Sequence, residues 1–162
     1  MMKKQVLPIL LALLMTGTAG IAQQTPANVK LVNPAGLHTP NGYSHMAEID
    51  LGNSTMLIIS GQVALDKNGA LVGKDDLEKQ AEQALENIKT IVQSAGGNMS
   101  NVVKMSYFMT DISKIAQVRA ARDKFVNTAN PPASTSVQVS RLFREDILIE
   151  IEATAIIPKP KQ

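Results

Sequence analysis

One segment of this 162-residue chain constrains the fold more than any other. Between Asp76 and Ala95, the residues Leu77, Ala81, Ala84, Leu85, Ile88, Ile91, Val92 and Ala95 recur at three- and four-residue spacing. That period gives a helix with a single apolar face, which must be buried against something flat and apolar. Asp75 or Asp76 can cap its start, with Glu78 three after Asp75 in a capping-box relation. Gly96-Gly97 ends it. The rest of the chain offers mainly strands to cover: a short one near Val29–Val32, a loosely alternating run over Ser44–Leu51, then Thr55–Ser60 with Gly61 at its end, and Val102–Met109. Asp66-Lys67-Asn68-Gly69 reads as a hairpin-like turn. A second helix is expected over about Lys114–Thr128, capped by Thr110–Ser113, with Ile115, Val118, Phe125 and Val126 inward.

Pro131-Pro132 then breaks the chain, and two β-rich runs follow, Ser134–Leu142 and Ile147–Ile157, joined by the polar turn Arg144-Glu145-Asp146. Two helices are too few to cover both faces of a sheet. The expected class is therefore α+β, a single sheet with two helices packed on one face. The last two runs carry apolar residues on both parities, which argues for burial on both sides and for an oligomer that supplies the missing cover.

The N-terminus has the layout of a secretory signal peptide over residues 1–22: Lys3 and Lys4, a short apolar run from Val6 to Met15, and small residues at Gly20 and Ala22. The apolar run is far shorter than the roughly 20 residues that span a bilayer. Cleavage near Ala22 implies a secreted or periplasmic protein with no membrane attachment in its mature form. Residues 23–39 then form a leader, 40–158 the domain, and 159–162 a tail. The formal charge of +2 comes from 16 basic and 14 acidic residues. Removal of Lys3 and Lys4 leaves a mature chain near neutrality, with few aromatic rings, which gives no footprint for nucleic acid.

The chain has no Cys, which excludes disulfides, thiol nucleophiles, a Cys-type zinc site and a lipid anchor. Nucleotide-cradling glycine motifs and the Gly-x-Ser-x-Gly elbow are absent from the sequence. His38 and His45 stand seven apart in a loop-like region, and are read as loop residues in preference to a two-histidine metal site. No metal and no cofactor are expected.

Several ordered segments together carry a resemblance: Asp50-Leu51-Gly52-Asn53, Ile59-Ser60-Gly61-Gln62, Ala95-Gly96-Gly97, Val102-Val103-Lys104 through Thr110-Asp111, Pro132-Ala133 through Leu142, and Ile149–Ala153. Over roughly residues 40–157 the chain resembles the RidA/YjgF (Rid, reactive intermediate deaminase) family. The resemblance implies a chorismate-mutase-like fold, a homotrimer, and ligand clefts between subunits. It also implies hydrolysis of an enamine or imine, such as 2-iminopropanoate or 2-iminobutanoate, without a cofactor. Glu150 falls where the family has its water-handling carboxylate, and Ser60 at the pocket serine. Tyr43 corresponds to the pocket tyrosine, at a spacing two residues longer. His45, Ser134 and Ser136 complete the implied substrate-binding set.

Position 134 departs from the family: Pro132-Ala133-Ser134-Thr135 stands where Pro-Ala-Arg-Ser is usual. A hydroxyl replaces a bidentate guanidinium, at a cost of roughly 1.5–3 kcal/mol in holding a carboxylate. The sequence thus reads as an exported member of a subgroup without that arginine, with weak or no turnover of imino acids expected. Two readings stay open. One is an imine or enamine hydrolase. The other is a non-catalytic trimer that binds a small molecule or another protein.

Overall fold

The computed structural model describes residues 25–160, so the signal-peptide reading for 1–22 and the last two residues of the tail lie outside the described residues. One six-stranded sheet runs through the domain. Its strands are β1 (Val29–Val32), β2 (Met46–Asp50), β3 (Ser54–Gln62), β4 (Val102–Met109), β5 (Ala133–Gln138) and β6 (Ile149–Pro158). Their spatial order is β1-β2-β3-β6-β4-β5. Every neighbouring pair is antiparallel except β4 and β5, which are parallel. The chain is α+β, with two helices on one face of the sheet, α1 (Leu77–Ser94) and α2 (Ile115–Asp123).

Helix α1 forms where its apolar period predicts. Ala81, Ala84, Leu85, Ile88, Ile91 and Val92 are fully buried. They belong to one core with Leu57, Ile59, Met105, Ile149, Ile151 and Ala155 of the central strands. Burying each Leu or Ile stabilises by about 1.5–3 kcal/mol. The cap is Asp76, whose carboxylate accepts from the Lys79 amide at 3.1 Å. Asp75 stands outside the helix with φ of 59°, so the box with Glu78 does not form. At the other end Gly96 adopts φ of 82°, and its amide donates back to the Gln93 carbonyl at 3.0 Å.

The second helix is shorter than its pattern. A 3-10 turn over Ile112–Lys114 precedes it, and it stops at Asp123 instead of near Thr128. The reason is local. The Lys124 and Phe125 amides donate three residues back, to Ala121 and Arg122, which tightens the last turn. The Asn127 side chain then accepts from the Ala129 amide at 3.0 Å, and its carbonyl accepts from Asn130. That hydrogen bonding competes with helix propagation.

Within one chain the final runs are covered on one face at most. In β6, Ile149, Ile151, Ala153, Ala155 and Ile157 are buried, whereas Glu150, Glu152, Thr154 and Ile156 alternate onto the face without helices. All six residues of β5 are exposed, because it is an edge strand paired only with β4. The runs are not neighbours either, since β4 lies between them.

Two buried amides on α1 tie down the loops that frame the sheet. Gln80 donates to the Asp146 carbonyl at 2.8 Å and the Gly73 carbonyl at 3.2 Å, and accepts from the Leu148 amide at 2.8 Å. Asn87 donates to the Val63 and Leu65 carbonyls, both at 3.0 Å. These segments leave β3 and enter β6. Gln80→Leu leaves the Leu148 amide and Asp146 carbonyl without their partner, and is expected to lower unfolding stability by about 1–3 kcal/mol in urea titration. Lys89→Ala, which removes only the exposed pair with Glu86, is expected to stay within about 0.5 kcal/mol.

Candidate functional site

The site begins with an irregularity in β3. Its register with β6 shifts between Ile59 and Gln62. Ser60 and Gly61 sit in this bulge. The Ser60 amide donates to the His45 carbonyl at 3.0 Å, and the Ser60 hydroxyl donates to the Ser44 carbonyl at 2.7 Å. The hydroxyl hydrogen is engaged by the backbone, which leaves the oxygen lone pairs as the group a ligand meets.

Glu150 reaches this point from β6, where it pairs across from Phe108 of β4. Its carboxyl lies over Gly61 so closely that a Cβ built there would be 1.8 Å from Glu150 Oε1. Only glycine permits this placement. Burial of the carboxyl, then the charge of Glu152 two residues along the same face, raises the Glu150 pKa above the usual glutamate value. Tyr43 is raised in turn, first by burial and then by the Glu150 charge.

The segment before β2 closes the other wall. His38 Nε2 is 2.8 Å from the Tyr43 hydroxyl. The ring of His45 packs edge-on to both, with centroids 5.0 Å from His38 and 5.6 Å from Tyr43. His45 is fully buried, and its Nε2 is 2.8 Å from the His38 carbonyl. A carbonyl only accepts, so this nitrogen carries the hydrogen, which leaves Nδ1 to face the Gln62 amide nitrogen at 3.5 Å. His38 Nδ1 is buried with no partner among the described residues, and burial followed by the neighbouring His45 lowers the His38 pKa.

Together these groups line a cleft of about 570 Å³, walled by His38, Tyr43, Ser60, Gly61, Phe143 and Glu150. Under it, Val63, Leu65 and Ile147 form a small apolar cluster of their own. The structure thus gathers Glu150, Ser60 and Tyr43 at one place. His45 lies beneath the cleft with both ring nitrogens occupied, where it holds the His38 backbone. Ser134 and Ser136 lie elsewhere. They pair with Met105 and Tyr107 of β4 and share a separate recess with Arg119 and Arg122 of α2. Among the described residues, no three His, Asp, Glu or Cys side chains cluster in a way that could hold a metal ion.

Sequence reasoning missed His38 and Phe143 as cleft residues and read Gly61 only as a strand end. The five-residue separation of His38 and Tyr43 in a Gly- and Pro-containing loop is the signal that brings the first of these into view.

A half-buried carboxyl whose pKa is raised on folding carries a signed consequence for stability. The ionised form is disfavoured by folding, so it costs stability above the folded pKa and costs nothing below the ordinary value near 4.5. Glu150→Gln is expected to raise the urea midpoint at pH 7. The gain should shrink as the pH falls through the folded pKa, and vanish near pH 4.

Comparison with known proteins gives the family. The family model described as endoribonuclease L-PSP matches residues 35–157. The 2-iminobutanoate/2-iminopropanoate deaminase of Salmonella typhimurium is 41% identical over 111 residues, which cover 67% of this chain and 83% of that protein. The crystal structure of the YjgF gene product of Escherichia coli matches with a TM-score of 0.68 and 36% identity, over 78% of this chain and 98% of its own. The Escherichia coli protein TdcF, solved with bound serine, matches with a TM-score of 0.64 and 32% identity, over 75% of this chain and 92% of its own. On the family match and these relatives together, the chain belongs to the endoribonuclease L-PSP family, that of the RidA/YjgF proteins and their imine deaminases.

Proposed function

We propose that this protein hydrolyses a small imine or enamine in the cleft around Glu150. The observation that carries the reading is the Glu150 carboxyl itself: half-buried, raised in pKa, and seated over Gly61 beside Ser60 and Tyr43. A carboxyl shifted toward neutrality is suited to exchange protons at working pH. In its ionised form Glu150 takes a proton from water as the water oxygen bonds to the imine carbon. Glu150 returns that proton to the nitrogen, giving a carbinolamine. It then takes the hydroxyl proton and hands it to the amino nitrogen as the C–N bond breaks, so ammonia leaves as the carbonyl forms. Tyr43 and Ser60 orient the substrate, while Phe143, Val63 and Leu65 limit entry of bulk water.

An RNA substrate is not what this cleft favours, because the Glu150 carboxylate repels phosphate. At position 134 the chain offers a hydroxyl, which by itself holds a carboxylate less firmly than a bidentate guanidinium.

The same reading includes a homotrimer of exported chains, with each cleft completed by a neighbour. Its support is the division of the implied site within one chain. Glu150 points from the sheet face without helices, whereas Ser134 and Ser136 share a recess with α2 on the other. The open face also carries uncovered apolar side chains, with Leu31 at 60% and Ile58 at 49% exposure.

The test is a coupled assay that generates 2-iminobutanoate beside the mature protein. Glu150→Ala is expected to lower turnover by about 10²-fold or more. Gly61→Ala should lose a comparable amount with an unchanged far-UV spectrum, since its methyl group displaces the carboxyl. Turnover indifferent to Glu150→Ala would sink the hydrolytic reading, and absence of turnover would favour a non-catalytic binding module. Sedimentation should give the mass of three chains, and Ile58→Asp should shift it to one.

A further inference from the structure

The loop that enters β2 carries two side chains at the Glu150 cleft whose hydrogen bond has a readable direction. His38 and Tyr43 are joined by a segment that reverses at Gly42, where φ is 78°. The turn brings the Tyr43 hydroxyl to 2.8 Å from His38 Nε2. The pair is held in place from below. The His38 carbonyl accepts from His45 Nε2 at 2.8 Å, and the His45 amide donates to Asn33 Oδ1 at 2.9 Å. The His45 ring packs edge-on against both rings, and Leu37 rests on the core. His38 and Tyr43 border the cleft together with Ser60 and Glu150.

A phenol can donate to an imidazole nitrogen or accept from one. The second nitrogen of His38 decides between the two. Nδ1 is buried and has no partner among the described residues. Burial, then the neighbouring His45, lowers the His38 pKa, so at pH 7 the ring is neutral and carries one hydrogen. With that hydrogen on Nδ1, an N–H donor would be buried without an acceptor, the rarer kind of orphaned group in folded proteins. With it on Nε2, only a lone pair is left unmatched. The hydrogen therefore lies on Nε2 and is donated to the Tyr43 oxygen. Tyr43 keeps its own hydrogen for a third group, because His38 is the one hydrogen-bond partner of its hydroxyl among the described residues. Burial, then the Glu150 charge, raises the Tyr43 pKa, so the phenol stays protonated.

We infer that His38 is a positioning residue, which fixes Tyr43 as a hydrogen-bond donor to the basic atom of the ligand in the cleft. Ser60 cannot take that part, since its hydrogen is spent on the Ser44 carbonyl. Thr39 and Asn41 also line the cleft but stand exposed to water. A hydroxyl that accepts one hydrogen bond is a stronger donor in the next. The inference rests on the hydrolytic reading in one respect: it takes the basic atom to be the imine nitrogen. That nitrogen gains electron density as water bonds to the carbon. A donor on it therefore stabilises the transition state more than the bound substrate. Tyr43 keeps its hydrogen throughout, while Glu150 carries the protons.

Two measurements test it. The chain has only two histidines, so NMR of the mature protein labelled with 15N-histidine reads each ring nitrogen. At pH 7 His38 is expected to show a protonated Nε2 and a bare Nδ1, and the reverse overturns the inference. In the coupled assay with 2-iminobutanoate, His38→Leu is expected to lower kcat by about tenfold, with KM changed by less than about twofold. Tyr43→Phe should lose at least as much, and adding His38→Leu to it should cost nothing further. His38→Gln, which keeps an N–H donor, should recover most of the rate. A packing role alone would leave it as slow as His38→Leu, and that result overturns the inference. A kcat indifferent to His38→Leu also overturns it and spares the hydrolytic reading. If wild type turns over no imine, the hydrolytic reading fails, and binding of 2-butanone, whose carbonyl oxygen only accepts, decides the rest. Affinity lowered about twofold to tenfold by Tyr43→Phe and by His38→Leu leaves the inference standing. Binding that is absent, or indifferent to either variant, overturns it.

Discussion

The burial of α1 against one face of the sheet is the constraint on which the rest depends. Once Leu85, Ile88 and Ile91 are fixed on that face, every central strand inherits a parity. In β6 the odd-numbered residues from Ile149 to Ile157 go under the helices, and Glu150 and Glu152 go to the open side. A slip of one residue would bury both carboxylates and expose five apolar side chains. The position of the acid is thus a by-product of core formation, enforced by far more energy than the acid's own contacts supply. Gln80 and Asn87 refine this by hydrogen-bonding the segments that leave β3 and enter β6.

The cleft is assembled against local preference. A carboxyl is pressed over a glycine, half out of water and near a second carboxylate. A histidine is buried whole so that a loop carbonyl is held in place. Each arrangement is unfavourable for the group concerned and tolerable because the core beneath is secure. Sites built this way carry perturbed titration, which is what acid–base chemistry at moderate pH requires.

Much of this was legible in the sequence, and the failures have physical causes. The period of α1 and the strand over Val102–Met109 were readable because a strong apolar pattern meets clear end signals. The end of α2 was misplaced because Phe125 and Val126 continue the apolar spacing and still pack on the core, after the backbone has left the helix. Burial on both faces of the last runs, with an oligomer as the cover, was inferred from apolar residues on both parities; within one chain Ile156 and Val137 lie on an uncovered side or edge. Composition reports what a surface would prefer to touch, and cannot say whether the same chain provides it. The side of the sheet that Ser134 faces was equally invisible, since it depends on β5 lying parallel to β4 at the edge.

That last point bears on how a missing residue should be interpreted. Judged along the sequence, serine at position 134 is the loss of a cation. In space, the position is one wall of a recess whose opposite wall is a helix carrying two arginines. An anion responds to where a guanidinium ends, and the long arginine stem lets that end be reached from either wall. A strand position and a helix position several residues away can therefore exchange the same charge with little change to the backbone. The absence of a motif residue then constrains chemistry only after the neighbours of that position, across the sheet and along the helix, are known.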